Sequence, residues 1–495
     1  MDSTKIFLLI IGNIVNIILS LIFFYLIRIL FNYAIVGYYG TFISFFTALE
    51  FINHLGFSIA YLKYFSEANN NEEEALCNGT FLTYRIIQFT IYSIAISSLI
   101  PFISIYPGNL LVVYAFFFGW VFVRISIFDF ILLSKKEAFK RSIGAITLNF
   151  LKSFLLIVLI NYFKNDIWLL IWVLLISNIS YFSLNTFFIK SRGFKKPNRE
   201  YLTKFLHYSA PFFISSIFIF VVNNIDVLLI EYWSNILYVA NYFTAKQLYS
   251  YFLIIISSIS NILLTTFSKN IKEGRVKENF PIINYTHKIL NLIVLPIILV
   301  ILLYATNVLT LIFGVDYLLT GQILSIFILL LIPLSIDCAN TIQLQALGKV
   351  KFTAKFIIIE NVIAIILMIF FIAPFLFNLG VFGGALAFLL AKIITQLIYR
   401  PIIYKKYNLG FYWGSFRNLF IMAGIYFVQL WINIVFTFPF YFMILFALLD
   451  VSLYFILNYL LKGFTKEDFK FILHLVNLNR IYESITTEFK DKEEE

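Results

Sequence analysis

Glu50 and His54 stand four apart in an apolar stretch, with Asn53 beside them. On a continuous helix that spacing puts both on one face. A carboxylate and an imidazole together inside a membrane can relay a proton or help hold a cation. The same pair can equally be a satisfied polar contact that anchors helix packing. Asp226, Asp337 and Glu360 are further acids within apolar stretches, while Glu231 and Asp450 are expected near the ends of theirs. A second set is basic: Arg28, Lys63, Arg85, Arg124, Lys152, Lys246 and Lys392. A charge at mid-bilayer costs about 2.5–3.5 kcal/mol even on the lenient insertion scale, so each needs a reason to be there. Arg28 and Lys63 lie near span ends, where snorkelling accounts for them cheaply. Arg124 is deeper, and Asp129, five residues on, points about 140° away around a helix and is a poor partner. Guanidinium and ammonium groups bind phosphate anions through charge-assisted hydrogen bonds, so a cavity lined by several of these cations would suit an anionic head group. Metal-ligand spacing is absent: there is no CxxC and no HExxH. The two cysteines, Cys77 in an expected connection and Cys338 in an expected span, imply no disulfide framework. No cofactor is implied.

The elements that must carry these residues are membrane helices. The hydrophobic fraction is 61% and the charged fraction 13%, against roughly half and a quarter for soluble domains. The surplus comes in long runs: Ile6–Phe31 holds one charge, Arg28, and Ile289–Gly314 holds none. About 20 apolar residues cross the hydrocarbon core as a helix, and runs this continuous exclude the alternating pattern of a barrel. Fourteen spans are expected, near 6–31, 36–63, 79–106, 109–133, 142–163, 166–190, 205–230, 236–268, 285–313, 320–346, 353–375, 380–404, 414–437 and 439–461. No cleavable signal is evident, so the first span is expected to stay. The connections at 134–141, 190–204 and 269–284, then Lys349 with Lys351 and Lys405 with Lys406, are basic, whereas the intervening ones lack Lys and Arg apart from Lys164. The connection at 64–78 is acidic and is the weak member of the series. This alternation predicts both termini in the cytoplasm of a cell-membrane protein. It also accounts for the net charge of +11 without nucleic acid. An enzyme such as a membrane glycosyltransferase or polymerase would need a sizeable loop or soluble domain bearing carboxylates, and the connections are too short for one.

A weak repeat organises the chain. Arg28, Gly37-Tyr38-Tyr39 and Phe65-Ser66 are echoed by Asp226, Ala240-Asn241-Tyr242 and Phe267-Ser268. Two six-helix lobes plus two helices fit the length: 1–190, a cytoplasmic linker 191–204, 205–404, then helices thirteen and fourteen over 405–462. Such repeats build transporters that rock around a central site. In the tail, 463–495, Thr465 with Asp468 reads as a helix N-cap, and Phe469, Ile472, Leu473, Val476 and Leu478 follow at helical spacing.

Four segments carry a resemblance to a known family. Arg28-Ile29-Leu30 with Gly37-Tyr38-Tyr39 looks like its first interhelical turn, although the turn's Gly-Pro is missing from Phe31-Asn32-Tyr33-Ala34. His54-Leu55-Gly56-Phe57-Ser58-Ile59-Ala60 with Lys63-Tyr64 looks like its Asp-Leu-Gly motif, with His54 in place of the acid. Asn224-Ile225-Asp226 with Tyr242-Phe243-Thr244-Ala245-Lys246, and Leu344 to Lys349 with Gly380 to Ala387, complete the set. In order and spacing these resemble the Wzx-type oligosaccharide and polysaccharide flippases, in the superfamily that also holds the multidrug exporters and the lipid II flippase. The resemblance implies an all-α integral membrane transporter that flips a lipid-linked oligosaccharide by alternating access, with no catalytic site. It implies a lipid tail beside helices thirteen and fourteen. The partners it implies are membrane lipids and the glycosyltransferases or polymerase of the same pathway. Arg28, Lys63, Arg124, Lys246 and Lys392 are then the expected substrate-binding residues, and Glu50, His54 and Asp226 the expected coupling residues. A cation-coupled drug exporter of the same superfamily is the alternative; it would favour twelve helices and an acid in the first, where this chain has Arg28.

Overall fold

The structure, a computed structural model, describes residues 3–54, 57–68, 70–102, 109–121, 130–132, 138–162, 166–189, 193–410, 412–436, 439–463, 465 and 468. The regular elements among them are helices, with no strand. In chain order they are α1 (Ser3–Leu30), α2 (Tyr33–Ala48), α3 (Phe51–His54), α4 (Phe57–Glu67), α5 (Asn71–Leu99), α6 (Leu110–Val121), α7 (Ala138–Leu159), α8 (Ile167–Ile189) and α9 (Arg199–Trp233). Then come α10 (Ile236–Lys272), α11 (Asn279–Phe313), α12 (Leu318–Leu329), α13 (Leu331–Ala346), α14 (Val350–Ile372), α15 (Gly380–Tyr407), α16 (Gly414–Val435) and α17 (Phe440–Leu460). Ten helices among the described residues are long and apolar enough to cross a membrane, and Val15–Leu30 and Leu110–Val121 are shorter apolar helices. Taking α2 to α4 as one pass and α12 with α13 as another, each of the fourteen expected spans has a helical counterpart.

Local chemistry explains the boundaries. Asn32, where the family turn has Gly-Pro, caps α2 by accepting from the Ala34 N–H at 3.2 Å. Asn70 caps α5 by accepting from the Glu73 N–H at 2.8 Å, and Glu72, Glu73 and Glu74 fill the first turn. Acids there complement the positive end of the helix dipole. The acidic stretch expected to be a connection through residue 78 is therefore largely the start of a helix, and Cys77 sits buried in that helix. The pass after α11 breaks at Leu330, and Pro333 lies in the first turn of α13, where a missing N–H does no harm. Gly314 ends α11 at φ 96°, a conformation that glycine adopts without strain.

By contact the described residues fall into two compact units, one up to Ala240 and one from Asn241 on. In the first, α1 lies along α7, α2 along α9, and α6 and α7 along α8. By contact α9 lies in this unit, against α2 to α5. The extended segment 193–198 is strapped to α5. Lys195 N–H donates to Ala75 at 3.0 Å, Asn198 N–H donates to the Thr80 hydroxyl at 2.9 Å, and Asn78 donates to the Gly193 carbonyl at 3.2 Å. Gly79 permits this, since a Cβ there would lie 1.7 Å from the Lys195 carbonyl oxygen. In the second unit α11 is the hub and touches α12, α13, α16 and α17, while α14 pairs with α15. The tail begins on this unit. Thr465 donates from both N–H and hydroxyl to Asp468, whose own N–H returns a bond, and Lys288 of α11 pairs with Asp468 at 2.5 Å. The expected tail helix beyond lies outside the described residues.

Candidate functional sites in the two units

In the first unit the expected pairing of Glu50 with His54 involves a side chain, that of His54, outside the described residues. The pass expected to be continuous over 36–63 stops at Ala48, and Glu50 stands in the turn before α3. Its N–H bonds back to Thr47 at 3.0 Å. The four-residue rule assumes an unbroken helix. His54 closes α3, and its side chain lies outside the described set. Glu50 acts electrostatically on Arg85 of α5. Both are buried, at 2% and 1% exposure. Arg85 also reaches the Gln88 side-chain oxygen at 3.5 Å. Two turns along the same face of α5, Tyr92 donates to the Phe46 carbonyl at 3.0 Å, one turn before the break. A backbone interruption at membrane depth needs such partners. Arg85 is among the cations of the apolar stretches, and the signal that points to it is the need of a buried Glu50 for a cation.

Arg28, at the end of α1, is also buried. Its guanidinium donates to the Ala240 carbonyl at 2.8 Å and lies 5.0 Å from the centre of the Phe24 ring. Nearby Gly37 of α2 passes so close to the start of α10 that a Cβ would meet the Ile236 carbonyl oxygen at 2.4 Å. Arg28 and Gly37 thus bracket one helix start. Asp226 is wholly buried in α9. The side chain of Lys63, in α4, and the whole of Arg124 lie outside the described residues.

In the second unit Lys392 of α15 binds both oxygens of Glu360 on α14, at 2.8 and 3.2 Å. The expected anion-binding lysine therefore has a carboxylate on it. Lys246 lies 5.3 Å from the Phe388 ring centre and 6.0 Å from that of Tyr242, and Tyr249 stacks on Phe327 close by. A larger polar core went unassigned in the sequence. His287 is bonded to the Ser335 carbonyl at 3.2 Å, Asn291 donates to Ser415 at 2.6 Å, and Tyr454 donates to the Asn291 carbonyl at 3.2 Å. Arg400 lies 3.4 Å from Asp337, whose other oxygen accepts from Thr341 at 3.0 Å. These bonds join α11, α13, α15, α16 and α17. Asparagine, serine and tyrosine scattered over separate helices carry no spacing signal. Asp450, expected near a span end, is instead midway along α17, buried, and accepts from the Tyr304 hydroxyl at 2.7 Å.

The family model described as polysaccharide biosynthesis protein matches residues 3–271. The chain belongs to this family. No curated protein matches the chain in sequence. Among solved structures it is similar to the lipid II flippase MurJ in an inward closed conformation, at 17% identity and a TM-score of 0.65, over 90% of this chain and 97% of that one. It is similar to a multidrug resistance MATE family transporter of the MOP superfamily in an inward-facing conformation, at 14% identity and a TM-score of 0.64, over 78% of this chain and 96% of that one. An outward-facing structure of a transporter so described matches at 13% identity and a TM-score of 0.61, over 80% of this chain and 96% of that one. The family member thus has the transporter fold of this superfamily, a fold seen both inward- and outward-facing.

Proposed function

We propose that the protein flips a lipid-linked oligosaccharide across the cytoplasmic membrane by alternating access, without chemistry, both termini being cytoplasmic. The observation that carries this reading is the family match. Extent of likeness favours a flippase over a drug exporter: the lipid II flippase aligns over 90% of this chain, the two exporter structures over 78 and 80%. Head-group phosphates are assigned to Arg28, Lys63, Arg124 and Lys246. Lys392 joins them only when Glu360 lets go. Glu50, His54 and Asp226 are assigned to coupling, with Arg85 the cation on which Glu50 acts. The lipid tail is assigned to the face of α16 and α17, and the glycosyltransferases or polymerase of the pathway are the assigned partners. The test is reconstitution in vesicles with a fluorescent polyprenyl-diphosphate saccharide on one leaflet. Time-dependent appearance of the sugar on the other leaflet is expected. Efflux of organic cations with no movement of the lipid-linked sugar would establish the exporter reading instead.

A further inference from the structure

The ammonium of Lys392 on α15 lies 2.8 and 3.2 Å from the two carboxylate oxygens of Glu360 on α14. Lys246 of α10 adjoins this pair. Its ammonium is 5.3 Å from the centre of the Phe388 ring, and Phe388 stands one turn before Lys392 on the same face of α15. The Glu360 carboxylate acts electrostatically on Tyr249, three residues past Lys246 on α10. Three helices thus bring two ammonium groups and one carboxylate into one cluster. The pair is not sealed in protein: 18% of the Lys392 side chain and 29% of that of Glu360 are exposed. Charges at membrane depth face a bundle interior or a water-filled space rather than lipid, so an anion can reach this pair.

A phosphate and Glu360 cannot both hold Lys392. Exchanging one oxyanion for another keeps the charge-assisted bond to the ammonium, so the exchange is finely balanced. The carboxylate is tethered to α14 and competes at high effective concentration. Once displaced, it repels the phosphate that replaced it. We infer that Glu360 is the residue that sets head-group release: it gives way on Lys392 to the second phosphate of a diphosphate-linked saccharide and reclaims Lys392 as that head group leaves. This rests on the flippase reading, in which Lys246 takes the first phosphate. A site emptied in every cycle needs binding strong enough to load and weak enough to let go, and a resident competitor supplies the second half. A lipid with a single phosphate is served by Lys246 and leaves the pair intact, so Glu360 acts on the diphosphate class.

The test titrates two lipids, carrying one saccharide on one polyprenyl chain through a diphosphate or through a single phosphate, into the purified full-length protein in lipid nanodiscs. Glu360→Gln should tighten binding of the diphosphate lipid by about tenfold and leave that of the single-phosphate lipid little changed. In vesicles the same variant should flip the diphosphate lipid more slowly than wild type at saturation. The double variant Glu360→Gln/Lys392→Met should lose the gain in affinity. A purely structural Glu360 would instead shift both lipids alike. A measurement on the wild type needs no variant to fold: a carbodiimide, which joins a carboxylate and an amine in contact, should link Glu360 to Lys392, with the product mapped by mass spectrometry. Saturating diphosphate lipid should suppress that link, and the single-phosphate lipid should not. A link that persists under the diphosphate lipid overturns the inference, as does a ratio of the two affinities that Glu360→Gln leaves unchanged, or a gain that survives in the double variant. In each of those cases wild-type flipping leaves the functional reading standing. A wild type that binds and flips neither lipid overturns both.

Discussion

The repeat places two passes in correspondence that the structure makes differently. The second pass, opened by Gly37-Tyr38-Tyr39, is interrupted between Ala48 and Phe51, while its echo, opened by Ala240-Asn241-Tyr242, is one helix of 37 residues. The step that holds Glu50 in the first copy falls in the apolar run Phe252–Ile256 in the second. A carboxylate within a membrane pass needs a partner, and a break frees backbone groups that need partners as well. One helix, α5, supplies both through Arg85 and Tyr92. The pass without an acid needs neither, and it runs on. Unwound backbone at membrane depth is where transporters of repeated architecture keep their working groups, and it is to this first copy that the proposed coupling is assigned.

The largest expected effect comes from unpairing that break. Arg85→Met removes the buried cation on which Glu50 acts, and Glu50→Leu removes the buried anion that acts on Arg85; each should cost about 3–5 kcal/mol of stability, whereas the double variant should recover most of it. Thermal unfolding in detergent measures this. If the first copy serves coupling, the refolded double variant should flip substrate slowly or not at all. A fully active double variant would reduce the break to packing. A smaller effect is expected from making the first copy resemble the second at its entry: Gly37→Ala, the residue found at 240, drives a Cβ against the Ile236 carbonyl and should cost about 1–3 kcal/mol. Tyr92→Phe removes the bond to the Phe46 carbonyl and should cost about 1 kcal/mol. Hydrogen exchange should then rise locally around residues 46–50, with no change along α10.

The smallest effect lies at the tail of the second unit. Burial opposes ionisation of Asp468, but the Lys288 ammonium and the Thr465 hydroxyl and N–H outweigh it and hold its carboxyl below the usual carboxylate range. A carboxylate stabilised in the folded state contributes fully above its unfolded pKa, about 3.9, and loses that contribution as pH falls through the lower folded value. Tail attachment should thus be constant near neutrality and weaken only below about pH 4. Limited pepsin cleavage near residue 465, followed against pH, should show this, and Asp468→Asn should lose the pH dependence.

Much of this was legible in the residues. Apolar runs of span length and alternating loop charge imply fourteen passes because water and hydrocarbon enforce those patterns residue by residue, whatever the packing. The Thr465–Asp468 cap was legible for a similar reason: its partners are three residues apart and need no tertiary contact. The expected connection at 64–78 misled because an acidic run reads as a loop when it is a well-capped helix start.

Pairing was another matter. That Glu50 acts on Arg85 depends on how α5 is placed against the break after Ala48, which spacing does not give. Lys392 meets Glu360 across two helices, and Asp450 meets Tyr304 from a helix far away in the chain. A membrane charge must find a partner, and composition states that requirement. Sequence by itself determined the class of protein, its passes and which residues would need partners. Only the tertiary structure decided which partners those are, because they converge from helices whose sequence separation bears no relation to distance.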